Sequence, residues 1–87
     1  MSSPPVVIYS TRWCPYCTLA KRYLDAKGVA WREVDLTSDP AALALLKARV
    51  SHRTVPLIFV NDTFVGGFTD LRDLDRRGGL DPLLAPS

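Results

Sequence analysis

The apolar and polar positions in the first third of the chain predict a strand followed by a helix. Residues 6–9 form a β-branched and aromatic run between Pro5 and a polar segment, as in a buried strand. The apolar residues then recur at three- and four-residue steps, which predicts a helix beginning at Pro15: Tyr16, Ala20, Tyr23 and Leu24. Gly28 supplies the left-handed residue at which this helix is expected to stop.

The middle of the chain repeats the strand and helix pattern more weakly. Residues 31–36 alternate and predict a second strand. The segment Ser38-Asp39-Pro40 combines a capping side chain with a proline for the first helical turn, so a second helix is expected to start there. This helix should carry one apolar stripe made of Ala42, Leu45, Leu46 and Val50.

The last third predicts a hairpin, a helix and a tail. Residues 57–60 and 63–65 are strand-like, and Asn61-Asp62 between them is a two-residue turn that tolerates positive φ. After the break at Gly66-Gly67, we expect Thr69 to cap a third helix that ends at Gly78-Gly79. The leucines of the tail are expected to pack back on the domain: Leu80, Leu83 and Leu84.

The predicted order is therefore β-α-β-α-β-β-α. The first βαβ unit should be parallel and right-handed, and the short turn makes the last two strands antiparallel. The sequence thus predicts an α/β fold, a mixed four-stranded sheet flanked by helices. With 87 residues, the chain is expected to form a single domain over residues 1–87.

Charge and composition exclude several classes of protein. The net charge of +2 is too small for a dedicated nucleic-acid-binding protein. The opening residues are too short for a signal peptide, and the apolar runs are too short to span a membrane. Two cysteines cannot form a disulfide framework, so we expect a reducing, cytoplasmic setting. A monomer is expected because the sequence leaves over no obvious exposed apolar stripe.

The motif Cys14-Pro15-Tyr16-Cys17 lies where the first strand meets the first helix. Proline is preorganised for the first helical position, which puts Cys14 at the N-cap. The free N–H groups and the positive end of the helix dipole then favour a thiolate over a thiol there. Cys17 falls in the first turn, close enough to form a disulfide. The pattern indicates dithiol redox chemistry, with Cys14 as nucleophile and Cys17 as resolving thiol.

Two other roles for the cysteine pair remain open at this point. A structural zinc ion needs four ligands and the chain has one histidine, His52, so zinc would require a homodimer that supplies two pairs. The two thiols are inert core residues in the other alternative. A Cys-x-x-Cys pair within a βα unit favours redox chemistry over both.

Three motifs in order resemble the dithiol glutaredoxins: Tyr9-Ser10-x-x-Trp13-Cys14-Pro15-Tyr16-Cys17, then Thr54-Val55-Pro56, then Gly66-Gly67-x-x-Asp70-Leu71. The ending Gly78-Gly79-Leu80-Asp81-Pro82-Leu83-Leu84 is similar to that of bacterial members. The resemblance spans nearly the whole chain. It implies a thioredoxin-like fold with a cis peptide bond before Pro56, and glutathione as co-substrate with no tightly bound cofactor or metal.

The resemblance also implies a set of glutathione-binding residues. The backbone of Val55 would bond the cysteinyl part of glutathione like an added strand residue. Gly67 would allow a close approach, and the N–H groups of Thr69 and Asp70 would hold the γ-glutamyl carboxylate, with the Asp70 side chain on its ammonium group. The remaining implied binding residues are Arg12, Tyr16, Thr54 and Pro56.

The chain departs from the family pattern at two positions near the site. Thr11 occupies the position where many relatives have a lysine that helps to hold the glycine carboxylate and the thiolate. Arg12 is adjacent and would partly take over this role. Arg49, His52 and Arg53 either supply positive charge near the glycine end of glutathione or form a solvated surface. Phe68 follows the glycine pair in place of a small or polar residue and predicts an apolar rim beside the cysteines.

The sequence therefore predicts an enzyme that reduces protein disulfides and glutathione mixed disulfides. Its partners would be glutathione and disulfide-bonded or glutathionylated proteins, with no nucleic acid and no membrane. One alternative is an iron–sulfur cluster carrier, for which the stiff Pro15 turn is a poor match. The other is a redoxin that takes electrons directly from a thioredoxin reductase.

Overall fold

A computed structural model describes residues 4–85 of the chain. Its elements are β1 (Val6–Ser10), α1 (Pro15–Ala26), β2 (Trp31–Asp35), α2 (Pro40–Val50), β3 (Leu57–Val60), β4 (Thr63–Gly66), α3 (Phe68–Arg76) and α4 (Leu80–Leu84). The first seven follow the predicted order, and the predicted tail forms the short helix α4. Residues 1–3, considered above for a signal peptide, and residues 86–87 of the predicted domain lie outside the described residues.

The four strands form one mixed sheet in the order β2-β1-β3-β4. β1 pairs with β2 in parallel and with β3 antiparallel, and β3 pairs with β4 antiparallel. Asn61 and Asp62 join β3 to β4 with φ angles of 46° and 69°, which is the double positive φ of a type I′ hairpin turn. The predicted strand directions and the predicted turn are confirmed.

The main core lies on one face of the sheet. Side chains alternate along β1, so Val6 and Ile8 point to the same face and are fully buried. They pack with buried residues from β3 and the helices α1, α3 and α4: Ala20, Leu24, Ile58, Val60, Leu71 and Leu80. Leu83 and Leu84 are partly buried against this cluster, as predicted for the tail. The core thus fixes α1, which follows the first cysteine, and α3, which follows the glycine pair, against the same face of the sheet.

The opposite face of the sheet carries an aromatic row. The ring of Phe59 lies 5.6 Å from that of Tyr9 and 5.2 Å from that of Phe64, measured between centroids. His52, which follows α2, packs edge-on against Phe64 at 5.5 Å. This row fixes the position of the segment after α2 relative to the sheet.

The structure corrects two details of the predicted helices. Leu45, expected on the apolar stripe of α2, is 74 % exposed, because the apolar residues of this helix surround its axis instead of lying on one side. Thr69 is not the cap of α3. The N-cap is Gly67, and the carboxylate of Asp70 accepts a hydrogen bond from its N–H at 2.9 Å. An aspartate three residues into the helix reaches back to this N–H, so the helix starts one residue before Thr69.

A polar cluster joins α1 to α3 on the surface of the core. The hydroxyl of Tyr23 donates a hydrogen bond to Asp75, and Lys27 Nζ lies 2.9 Å from Asp75 Oδ1. The hydrogen bond from Tyr23, which is the largest cause, and the one from Lys27 hold the pKa of Asp75 below its ordinary value. The same hydrogen bond is the largest cause that raises the pKa of Tyr23.

We therefore expect Asp75→Asn to lower the free energy of unfolding by about 1 kcal/mol at neutral pH, the typical net value of one hydrogen bond. A carboxylate whose pKa is depressed by folding stabilises the fold above its unfolded pKa of about 3.9, and this stabilisation is lost as the pH falls through the folded pKa. Urea denaturation of wild type and Asp75→Asn at pH 7, 5 and about 3 measures this difference in the free energy of unfolding. The gap between variant and wild type should close toward the lowest pH; a constant gap would contradict the role of charge.

None of the helices within residues 4–85 combines the length and apolar content that crossing a bilayer requires.

Candidate active site

The two cysteines lie at the start of α1 and are joined by a disulfide. Cys14 is the N-cap of the helix, as predicted, and Pro15 occupies its first position. The Cα atoms of the pair are 5.2 Å apart, and the N–H of Cys17 donates to the sulfur of Cys14 at 3.1 Å. Cys17 is 2 % exposed whereas Cys14 is half-buried. The sulfur that receives the helix N–H is therefore also the more accessible one.

The loop before Cys14 holds Trp13 in an unusual position. Its φ is +62°, in the left-handed region that side chains other than glycine rarely adopt, and its indole is 93 % exposed. The preceding residue, Arg12, is tied to the loop that follows β2, because its N–H donates to Thr37 Oγ1 at 2.7 Å. Thr37 in turn donates to Asp35 and lowers the pKa of that carboxyl. These bonds fix the path of the chain into the cysteine motif.

The peptide bond between Val55 and Pro56 is cis, as the resemblance implied. Val55 comes before β3, and the register of β3 with β1 begins only at Leu57. The backbone of Val55 is thus outside the paired part of the sheet and lines a groove on the surface.

The turn from β4 into α3 depends on Gly66. This residue has a φ of +123°, and a Cβ built on it would lie 2.7 Å from Cγ and 2.8 Å from Cβ of Asp70. Only glycine leaves room for the Asp70 side chain to fold back over the turn and accept the Gly67 N–H. The turn also leaves the N–H groups of the first turn of α3 without a helical acceptor, as at any helix start.

A groove of about 220 Å³ collects most of the predicted binding residues. Its lining comes from the helix turn with the cysteines, the cis-proline loop and the start of α3: Tyr16, His52, Thr54, Val55, Pro56, Gly67, Phe68, Thr69 and Asp70. Seven of the eight predicted binding residues are in this set. Arg12 is the exception: it does not line the groove, and its backbone N–H is bonded to Thr37.

His52 and Phe68 also line the groove, although the sequence did not place them among the binding residues. His52 Nε2 lies 3.2 Å from Thr54 Oγ1, a hydrogen bond that joins the two side chains. A Cβ on Gly67 would lie 3.7 Å from the same nitrogen, so the imidazole faces the glycine pair. The sequence had offered His52 only as one of several sources of positive charge near the glycine end of glutathione. Phe68 is half-buried and lines the groove together with Tyr16, so it adds apolar surface there; the expected rim beside the cysteines stays a prediction.

Comparison with known proteins decides the family. The family model described as Glutaredoxin matches residues 6–65. A glutaredoxin of Pseudomonas aeruginosa is 48% identical over 82 residues, which cover 94% of this chain and 98% of that protein. The chain belongs to the glutaredoxin family. This glutaredoxin is also 44% identical over 79 residues to glutaredoxin 3 of Escherichia coli, with coverage of 91% and 95%.

Solved structures agree with this family and with the predicted thioredoxin-like fold. A buckwheat glutaredoxin–glutathione complex superposes with a TM-score of 0.86 at 30% identity, covering 93% of this glutaredoxin and 76% of that chain. The solution structure of a Brucella melitensis glutaredoxin superposes with a TM-score of 0.80 at 39% identity, covering 97% and 91%. Taken with the Cys14–Cys17 pair, these findings make this glutaredoxin a glutathione-dependent thiol–disulfide oxidoreductase.

Proposed function

We propose that Cys14 is the nucleophile of this oxidoreductase. Its thiolate attacks the glutathione sulfur of a glutathionylated protein, so that a Cys14–glutathione disulfide forms and the protein thiolate leaves. A second glutathione thiolate then attacks the glutathione sulfur, which yields glutathione disulfide and returns the Cys14 thiolate. The observation that carries this assignment is the N-cap position of Cys14, whose sulfur accepts the Cys17 N–H at 3.1 Å. Such a position stabilises a thiolate.

For protein disulfides, Cys17 acts in the second step. Attack by Cys14 on the substrate disulfide leaves a mixed disulfide between Cys14 and the protein. The thiolate of Cys17 displaces the substrate thiolate and closes the Cys14–Cys17 disulfide, which glutathione later reduces. The 5.2 Å separation of the Cα atoms supports this step, since it falls within the range of protein disulfides.

The groove is the proposed binding site for glutathione. The Val55 backbone, outside the sheet register, would pair with the cysteinyl residue in the manner of an added strand. The first-turn N–H groups of α3 at Thr69 and Asp70 would hold the γ-glutamyl carboxylate. Asp70 uses Oδ2 for the Gly67 N–H, and its carboxylate charge would pair with the γ-glutamyl ammonium group. In this arrangement the carboxylate and the ammonium group of the γ-glutamyl residue would each meet an opposite charge at the start of α3.

At the other end of the groove, His52 and Thr54 are the proposed contacts for the glycine carboxylate. Both side chains line the groove and are hydrogen-bonded to each other. Thr11 cannot supply the positive charge found in many relatives, and Arg12 does not line the groove. Of the residues that the sequence offered as positive charge for this end, Arg12, Arg49, His52 and Arg53, we therefore assign the role to His52, together with Thr54.

The comparisons do not favour the alternative of an iron–sulfur carrier or a reductase-coupled redoxin. We further propose that the substrates are disulfide-bonded or glutathionylated proteins and that the enzyme works as a monomer in the cytoplasm. The reducing environment of the cytoplasm keeps glutathione available as the reductant.

The charge of Asp70 gives the first test. We expect Asp70→Asn to raise the KM for glutathione about tenfold, because one charge-assisted hydrogen bond to the ammonium group is lost. The amide oxygen can still accept the Gly67 N–H, so the thermal midpoint should change little. Asp62→Asn is the matched control: it removes the same charge from the hairpin turn, where asparagine tolerates the positive φ. An unchanged KM in Asp70→Asn would remove this residue from the site.

The choice of reductant tests the assignment to glutathione itself. Wild-type enzyme is supplied with a protein disulfide and either glutathione with glutathione reductase, or thioredoxin reductase with NADPH. The glutathione system should drive turnover and the thioredoxin reductase system should not. Preferential reduction by thioredoxin reductase would overturn the proposed function.

A further inference from the structure

Two exposed and two half-buried side chains lie beside the groove and are here called the aromatic strip: Tyr16 and Leu19, which are exposed, and Tyr23 and Phe68, which are half-buried. Tyr16, Leu19 and Tyr23 are spaced three and four residues apart on α1 and share one side of that helix. Phe68 connects the strip to the groove, because it lines the groove with Tyr16 and its ring lies 6.0 Å from that of Tyr23. Tyr16 is 58 % and Leu19 is 41 % exposed.

A guanidinium group lies on this apolar surface. The Cζ atom of Arg72 is 5.7 Å from the centroid of the Phe68 ring, within the range of a cation–π contact. The Arg72 Nε is buried and has no hydrogen-bond partner among residues 4–85. The carboxylate of Asp73 lies 3.6 Å from it, outside hydrogen-bond geometry, and the Arg72 side chain is 34 % exposed. The buried Nε is closed to a ligand, but the exposed part of the guanidinium keeps its positive charge at the surface and can pair with a carboxylate from outside.

We propose that the aromatic strip and Arg72 form the docking surface for the polypeptide of the protein substrate. The surface selects cysteines that have an apolar side chain and a carboxylate nearby. This inference rests on the proposed function, because the bound segment must carry the sulfur that Cys14 attacks. Tyr16 belongs to the cysteine motif itself, so the surface begins at the reacting end of α1 and continues away from it.

The dimensions of the surface define the segment that fits. Tyr16 and Tyr23 are seven residues apart on a helix, which corresponds to about 10 Å along its axis. An extended peptide covers about 10 Å with three residues. The apolar side chain and the carboxylate are therefore expected within about three residues of the reacting cysteine, the apolar one on the strip and the carboxylate on Arg72.

The test compares peptides that differ only in charge. Each peptide carries one glutathionylated cysteine followed by phenylalanine and then by aspartate, asparagine or lysine. We expect kcat/KM of wild-type enzyme to be about fivefold higher for the aspartate peptide than for the lysine peptide at low ionic strength. In Arg72→Gln this ratio should fall to about one, and in Arg72→Lys it should be intermediate, because lysine keeps the charge without the planar stacking.

Arg77→Gln is the matched control. It removes the same charge from the end of the same helix, but Arg77 lines a different cavity, bounded by β4 and Leu83. This variant should keep the fivefold ratio. A ratio near one in the wild type, or a fivefold ratio that survives in Arg72→Gln, would overturn the docking surface.

A small substrate separates this proposal from the function on which it rests. The mixed disulfide of glutathione and mercaptoethanol has no side chain to reach Arg72, so wild type and Arg72→Gln should reduce it equally. If wild type fails on this substrate, the proposed function itself is wrong. Sedimentation of wild type and Arg72→Gln tests whether a second copy of the chain occupies this surface instead. A wild-type dimer that becomes monomeric in Arg72→Gln would assign the surface to that second copy and overturn the inference.

Discussion

Cys14→Ser is expected to reduce deglutathionylation and disulfide reduction by a factor on the order of 10³ or more, to the background rate of glutathione alone. A serine hydroxyl at the N-cap still caps α1, so the fold should survive the change. What it cannot supply is a thiolate, the species that attacks disulfide sulfur. The measurement is the glutathione-coupled assay with a glutathionylated peptide and with a protein disulfide.

The matched variant is Cys17→Ser, which separates the two cycles. Deglutathionylation should continue at a rate comparable to wild type, because that cycle uses only Cys14 and two glutathione molecules. Reduction of a protein disulfide should become slow, since no second thiol resolves the mixed disulfide. Full turnover by Cys14→Ser in either assay would show that the nucleophile has been assigned to the wrong sulfur.

The nucleophile also has to be more reactive than an ordinary thiol. A helix start lowers the pKa of a cysteine from about 8.5 into a range of roughly 3.5–7.5. Alkylation of the reduced enzyme at neutral pH, followed by mass spectrometry, therefore provides a control for Cys14→Ser. Modification of Cys14 should be faster than that of free cysteine and faster than that of the buried Cys17.

Gly66→Ala is expected to have the largest effect on stability among changes near the groove, about 2–4 kcal/mol. The backbone at φ +123° is strained for any side chain, at about 1–3 kcal/mol, and the added Cβ would overlap the Asp70 side chain. If Asp70 moves away, the Gly67 N–H loses its acceptor at the start of α3. Urea denaturation measures the loss, and the KM for glutathione should rise as the turn reorganises.

Gly67→Ala is the matched control, one residue further along. Its φ of −90° is open to any residue, and its Cβ would have ordinary contacts, 3.7 Å from His52 Nε2 and from the Pro56 carbonyl oxygen. We expect little change in the unfolding midpoint but a higher KM for glutathione, because the methyl group occupies the groove. Equal destabilisation by the two alanines would contradict the distinct roles given to the glycines.

Much of the fold follows from local chemistry that can be recognised in the sequence. Four local features were expected and are present: the alternation in β1, the proline in the first turn of α1, the positive φ of Gly28 and the Asn61-Asp62 turn. Each depends on residues within a few positions of one another, where side-chain type and backbone conformation are directly linked. The wrong predictions, the burial of Leu45 and the cap at Thr69, concern which face a helix presents and which of several possible caps is used.

The sequence by itself determined the chemistry of this protein. A Cys-Pro-Tyr-Cys motif at a strand-to-helix junction places a redox-active cysteine pair at a helix start and predicts that Cys14 is the reactive sulfur, because the proline and the helix N–H groups are local features. Only the tertiary structure decided which segments come together next to the cysteine motif. It brought the cis-proline loop and the start of α3 together into one groove, bonded the Arg12 backbone to Thr37 and placed His52 in the groove lining. These outcomes depend on contacts between residues far apart in the chain, here Arg12 with Thr37 and His52 with Phe64, and no local pattern encodes such distances.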